Sequence, residues 1–207
     1  MKSGGTGGAN TNRGGLAFEN KTDLAARIER DLSADYELIE HASTKDLSTS
    51  KAFDVYRRAD HHLVGIITKQ LQFYNILSEH YHVTNQNHKR WKPDEVFFNF
   101  DANTIFIVEK KWQQKSGSVD EKIFGFVNKR RLYQNNFNQL PTEPKPTVEF
   151  AALFNASWWI YGLDHAIPAG TNPPRKNEVA YQDYFDNLRI DGIKIFFDNY
   201  DYWWFGL

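Results

Sequence analysis

Residues 93–114, PDEVFFNFDANTIFIVEKKWQQ, constrain the fold more than any other stretch of the chain. Two runs rich in Val, Ile and Phe flank the turn-forming residues Asp101, Ala102 and Asn103, which predicts a β-hairpin. The second run is apolar on both faces, as expected of a central strand. Centring the turn on Ala102-Asn103 places Asp101 opposite Thr104 and Asp94 opposite Lys111. Side chains alternate along strands, so Asp94, Glu109, Lys111 and Gln113 then share one face. A slip of one residue scatters them, and the chemistry of the chain therefore hangs on this register.

The flanking sequence supplies the rest of a fold. Residues 1–15 are dominated by Gly, Ser, Thr and Asn and read as a flexible arm. Residues 16–207 read as one domain, with a helical part at 16–82 and a core at about 93–198. Leu24, Ile28 and Leu32 recur at helical spacing, and residues 33–50 are polar and irregular. The stripe Val64, Ile67, Leu71, Tyr74 and Leu77 predicts a second helix over 51–81. A polar loop, 83–91, leads to Pro93. Beyond the hairpin, Ser118-Val119-Asp120-Glu121 is a capping box opening a helix to residue 138, with Ile123, Val127 and Phe137 inward. Strands are predicted at 147–154 and 193–197, with a helix at 178–188 between them. The order from residue 93 is β-β-α-β-α-β, an α/β fold with a mixed sheet flanked by helices.

Composition narrows the function classes. Sixteen Phe, ten Tyr and six Trp are ample for a packed core, and the absence of cysteine excludes disulfides, thiolate metal sites and a catalytic thiol. Net charge is −1, which argues against a protein that simply coats nucleic acid. Residues 89–131 nevertheless hold ten basic against six acidic residues, a surplus of four around the hairpin. No apolar run has transmembrane length, so a soluble, cytoplasmic protein without a membrane partner is expected.

Asp94 and Glu109 can offer oxygen ligands to a hard cation such as Mg²⁺, with the carbonyl of Lys110 as a third. Lys111, beside both carboxylates, can orient or deprotonate a water and offset charge on a phosphorane, and Gln113 can bond phosphate or water. Pro93-Asp94, fourteen intervening residues and then Glu109-Lys110-Lys111 resembles the PD-(D/E)XK nuclease motif. The strand-strand-helix-strand order resembles the core of that superfamily, and the continuation through Gly117-Ser118-Val119-Asp120-Glu121-Lys122 is similar to type II restriction endonucleases. The resemblance implies a restriction-endonuclease-like core, Mg²⁺ held by Asp94 and Glu109, water activation assisted by Lys111, and double-stranded DNA as substrate. It also implies a homodimer, because two copies match a two-fold symmetric site. Many members use a glutamate on an early helix, and Glu19 is the candidate here.

Lys115, Ser116, Ser118 and Lys122 surround the start of the helix at 118 and are candidate DNA-phosphate contacts. Lys129, Arg130 and Arg131 either continue that track or form a solvated face. Two other functions fit the same residues: a repair or recombination nuclease that reads DNA structure, and a DNA-binding protein without catalysis. His61-His62, His80 and His82 lack acidic partners at ligand spacing and read as surface residues, as do Arg57 and Arg58. The terminal run Tyr200-Asp201-Tyr202-Trp203-Trp204-Phe205 is too apolar to be free and reads as packed on the core or in a dimer interface, with base stacking as a third use. Neither a Walker-type phosphate loop nor a serine-hydrolase elbow is present.

Overall fold

Strands pair in chain order across a seven-stranded sheet. The structure, a computed structural model, describes residues 7–43, 50–117 and 119–207. Strands β1 (Tyr36–Glu40), β2 (Phe53–Arg57), β3 (His62–Thr68), β4 (Glu95–Asn99) and β5 (Thr104–Lys111) pair antiparallel in succession. Strands β6 (Thr147–Phe154) and β7 (Ile193–Phe197) then add in parallel. Parallel neighbours need long crossovers, and helices provide them. Helix α1 (Gly7–Lys21) and α2 (Leu24–Asp31) precede the sheet, and α3 (Gln72–Glu79) joins β3 to β4. Helices α4 (Val119–Lys122) and α5 (Phe126–Asn138) join β5 to β6, and α6 (Ala156–Trp159), α7 (Lys176–Ala180) and α8 (Gln182–Ile190) join β6 to β7.

Alternation along the central strands builds two cores. Val96, Phe98, Ile105, Ile107 and Phe150 face Phe73 of α3, Tyr133 and Phe137 of α5, and Phe185 of α8. Phe97, Phe106, Val108, Ala151 and Leu153 face Phe18 of α1, Leu24 and Ile28 of α2, and the C-terminal Tyr200 and Phe205. Helices therefore cover both faces of a mixed sheet. Among the described residues no helix is long and apolar enough to cross a membrane.

Strands β6 and β7 fall where the sequence puts them. Strands β2 and β3 replace most of the helix expected over 51–81, of which α3 alone is helical. The β-branched run Val64, Ile66, Ile67, Thr68 is buried throughout and sits between two neighbours, so its spacing reflects a two-sided strand rather than a helical stripe. Strand β1 likewise lies inside the stretch read as irregular, 33–50, of which residues 44–49 fall outside the described ones. Residues 1–6 of the expected arm also lie outside the described residues, whereas 7–15 open α1. Gly14 is what seats that helix: a Cβ there would stand 2.2 Å from the Trp112 ring, so the missing side chain lets α1 close on the end of β5. The helix expected over 118–138 is interrupted by a 3-10 turn at Ile123–Gly125, and the one expected over 178–188 divides at Tyr181. Of the terminal aromatic run, Phe205 is fully buried against Phe97 and Phe106, while Trp203 stays exposed.

Gly65 marks the tightest point of the sheet. A Cβ built there would lie 2.0 Å from the Phe98 carbonyl oxygen, which is backbone and cannot step aside. Gly65→Ala is expected to cost about 2 kcal/mol or more, lowering the melting temperature by roughly 4–8 °C in a calorimetric scan.

Candidate active site

Asn99 sets the register of the hairpin. Its Oδ1 accepts from Ala102 N at 2.8 Å, and its Nδ2 donates to the Phe205 carbonyl at 2.8 Å. Those bonds hold residues 100–103 as a four-residue loop, with Asn103 at φ 48°, so that Asn99 rather than Asp101 faces Thr104. The pairing is thus two residues away from the one expected. Glu95 faces Val108, and one step further Asp94 lies beside Glu109 rather than Lys111. A shift of two preserves which face each side chain takes, so Asp94, Glu109 and Lys111 still converge.

Their geometry is that of a cation site. Lys111 Nζ lies 2.8 Å from the Lys110 carbonyl oxygen, 3.0 Å from Glu109 Oε2 and 3.7 Å from Asp94 Oδ2. Three oxygens from three consecutive elements of the motif therefore point at one positive charge. The Lys110 amide donates to Asp94 Oδ2 at 2.7 Å and fixes that carboxylate across the strands. Lys129 reaches in from α5 and donates to the same Glu109 Oε2 at 2.7 Å. Glu109 Oε1 is buried with no hydrogen-bond partner, as is the Tyr133 hydroxyl on the same core face. Ala152, the β6 neighbour of Glu109, is fully buried and small, so no bulky side chain there fills the space beside Glu109.

Burial pushes the Asp94 carboxyl up to about 6; Lys111 pulls against that rise and the charge on Glu109 adds to it. Burial also raises Glu109, but Lys111 and Lys129 outweigh it and hold that carboxyl below its ordinary value. Lys111 feels burial in the opposite sense, yet Glu109 and Asp94 keep its ammonium above the ordinary lysine range. Its two carboxylates thus hold Lys111 as a positive charge, able to donate to a water or an anion. Tyr133 is raised by its burial and by the nearby charge of Glu109.

Among the described residues no group of three or more His, Asp or Glu side chains could hold a metal ion. The oxygens that converge here, and that a divalent cation could use, are those of Asp94, Glu109 and the Lys110 carbonyl. That set fits Mg²⁺, which takes one or two carboxylates and leaves its other positions to water and phosphate. The unpaired Glu109 Oε1 is a further oxygen free to ligate.

The remaining candidates divide. Glu19 sits on α1 with an exposed side chain, close enough for its charge to raise both Asp94 and Lys111. Gln113 is buried, and its amide nitrogen donates to the Lys115 carbonyl at 2.7 Å and to Asp120 Oδ1 at 2.8 Å, while its Oε1 has no hydrogen-bond partner. Asn155 braces the same turn by accepting from Gln113 N and donating to Gln113 O. Lys115, Ser116, Lys122 and Arg131 are exposed. Ser118 lies outside the described residues, and α4 spans four residues, too few for the aligned dipole on which a phosphate site at its start depends. Arg130 is tied to the Val148 carbonyl at 2.9 Å and to Glu149, so it braces α5 against β6. Sequence reasoning left Lys129 undecided and missed Asn155, whose role depends on a distant partner, Gln113.

The Asp94 shift has a sign that can be measured. With a folded value near 6 against 3.8 for the free carboxyl, the folded state binds more protons between about pH 4 and 6, so stability falls as pH rises through that window. Glu109, depressed in the fold, contributes the opposite: stability present above its unfolded value and lost as pH falls. Asp94→Asn, melted in EDTA, is expected to be more stable than the parent by about 1–3 kcal/mol at pH 7, the difference closing by pH 4. Equal melting curves across the range contradict the raised carboxyl. Comparison with known proteins adds no family to this geometry: no family model, no curated protein and no solved structure matches the chain.

Proposed function

We propose that this protein is a Mg²⁺-dependent endonuclease that hydrolyses phosphodiester bonds of double-stranded DNA, of the PD-(D/E)XK kind and of type II restriction character. The observation that carries the reading is the convergence of Asp94, Glu109 and the Lys110 carbonyl on the Lys111 ammonium at the ends of two adjacent antiparallel strands. The helix that follows β5 and the parallel return of β6 support a restriction-endonuclease-like core around it.

A bound Mg²⁺ supplies a positive charge that polarises the phosphate and acidifies a water. Asp94, Glu109 and the Lys110 carbonyl would hold that charge in place. Lys111, held charged by its two carboxylates, aligns the attacking water by donating to it and offsets the negative charge that builds on the phosphate oxygens. Gln113 and Asn155 act at one remove, fixing the turn that ends β5 and thus the aim of Lys111. Exposed Lys115, Lys122 and Arg131 offer phosphate contacts that position the duplex without reading its sequence. Two copies of the chain serve a two-fold symmetric site, each cutting one strand.

Purified protein incubated with plasmid or phage DNA and Mg²⁺ is expected to give discrete fragments. Glu109→Ala and Lys111→Ala are each expected to reduce the cleavage rate by at least about a hundredfold, while melting as cooperatively as the parent. DNA that stays intact across many sequences, with Mn²⁺ as well as Mg²⁺, rejects the reading. Preferential cutting of branched or single-stranded DNA assigns the same chemistry to a structure-reading nuclease.

A further inference from the structure

Lys129 and Lys111 share one carboxylate oxygen but are held differently. Lys111 belongs to β5 and is gripped on three sides by Glu109, Asp94 and its neighbour's carbonyl. Lys129 comes from the facing helix, is a quarter exposed, and donates to Glu109 Oε2. Its ammonium also stands 6.0 Å from the centre of the Trp91 ring, which Lys89 approaches to 4.3 Å. The Tyr74 hydroxyl donates to the Trp91 carbonyl at 2.7 Å and pins that loop two residues before Pro93. Lys129 thus sits on Glu109 with an aromatic face that attracts cations beside it, along the way out to solvent.

Charge balance says when it moves. Two carboxylates against two ammonium groups leave the cluster neutral. A divalent cation bound there leaves an excess of two positive charges in a largely buried site, a costly state. Withdrawal of Lys129 halves the excess, and the single negative charge of one phosphodiester cancels the rest. We propose that Lys129 is a placeholder cation: it neutralises Glu109 until a divalent metal binds, then swings out along Trp91 to meet a nucleic-acid phosphate at the rim. The proposal rests on the nuclease reading and assigns Lys129 a positioning role within it.

The test is calorimetric titration of Mn²⁺ into the full chain at pH 8, for the parent, Lys129→Met and Lys129→Arg. Removing the competing charge is expected to tighten Mn²⁺ binding about tenfold or more, and arginine is expected to restore the parent affinity. In a Lys111→Ala background, in which cleavage is slow on the time of a binding measurement, adding Lys129→Met is expected to weaken Mn²⁺-dependent duplex binding and lower its salt slope by about one. Mn²⁺ affinity that is unchanged or weaker in a cooperatively melting Lys129→Met, or in Lys129→Gln should the methionine variant not fold, overturns the placeholder role. Unchanged duplex affinity overturns the outward swing. A parent that takes up Mn²⁺ keeps the nuclease reading standing in either case, whereas a parent that binds none removes both.

Discussion

Two carboxylates placed side by side on an antiparallel pair, both largely withdrawn from water, repel each other by roughly 3 kcal/mol at about 5 Å and an effective dielectric of about 20. Asp94 and Glu109 are such a pair, and the features around them follow from managing that repulsion. One carboxyl, Asp94, is pushed toward its neutral form. The other, Glu109, is kept ionised by two ammonium groups brought from different elements, Lys111 from β5 and Lys129 from α5. Nothing in core packing calls for two acids here, since Ile105 and Ile107 on the same face are buried without any such arrangement. In the proposed nuclease, such opposed acids suit a divalent cation, whose charge exceeds that of lysine.

The opposite face of the same strands shows what a purely structural charge looks like. Lys110 and Glu95, one residue along from Glu109 and Asp94, form a buried pair at 2.6 Å. The Lys110 ammonium also donates to the carbonyls of Glu19 at 3.1 Å and Thr22 at 2.8 Å, so all three of its hydrogens are used at the end of α1. Glu95 Oε1 in turn accepts from Leu24 N at 3.3 Å, at the start of α2. This network is closed, whereas the one around Glu109 leaves Oε1 unpaired. The same network carries Glu19 to the end of the strands, which is how an early helix comes within electrostatic reach of Asp94 and Lys111.

The acidic pair and its lysine were legible in the sequence because strand alternation has a period of two. The hairpin register differs from the expected one by two residues, and the shared face survives. What a short pattern could not supply was the contact that fixes the loop, since Asn99 answers to Phe205 at the far end of the chain. Strands β2 and β3 were missed for a related reason. Val64 and Ile67 are three apart and suit a helix as well as a doubly buried strand, and the neighbours that decide it lie on β2 and β4. Gln113 illustrates the limit for sites: the strand ends at Lys111, so period-two alternation no longer places it, and the turn engages its amide nitrogen while leaving Oε1 unpaired.

The state of Lys111 bears on how the chemistry can run. A lysine acts as a base when burial or like charge lowers its pKa below the working pH. Here burial does act in that direction, yet two carboxylates outweigh it. The two carboxylates therefore hold Lys111 charged. What this residue supplies is charge and direction, and both depend on the short tether between its ammonium and the Lys110 carbonyl. An arginine at 111 would keep the charge but not the compact point geometry that three converging oxygens select. The residue is thus specified by the shape of its oxygen cage as much as by its sign, and that cage exists because Asn99 closes the loop that aligns Asp94 with Glu109.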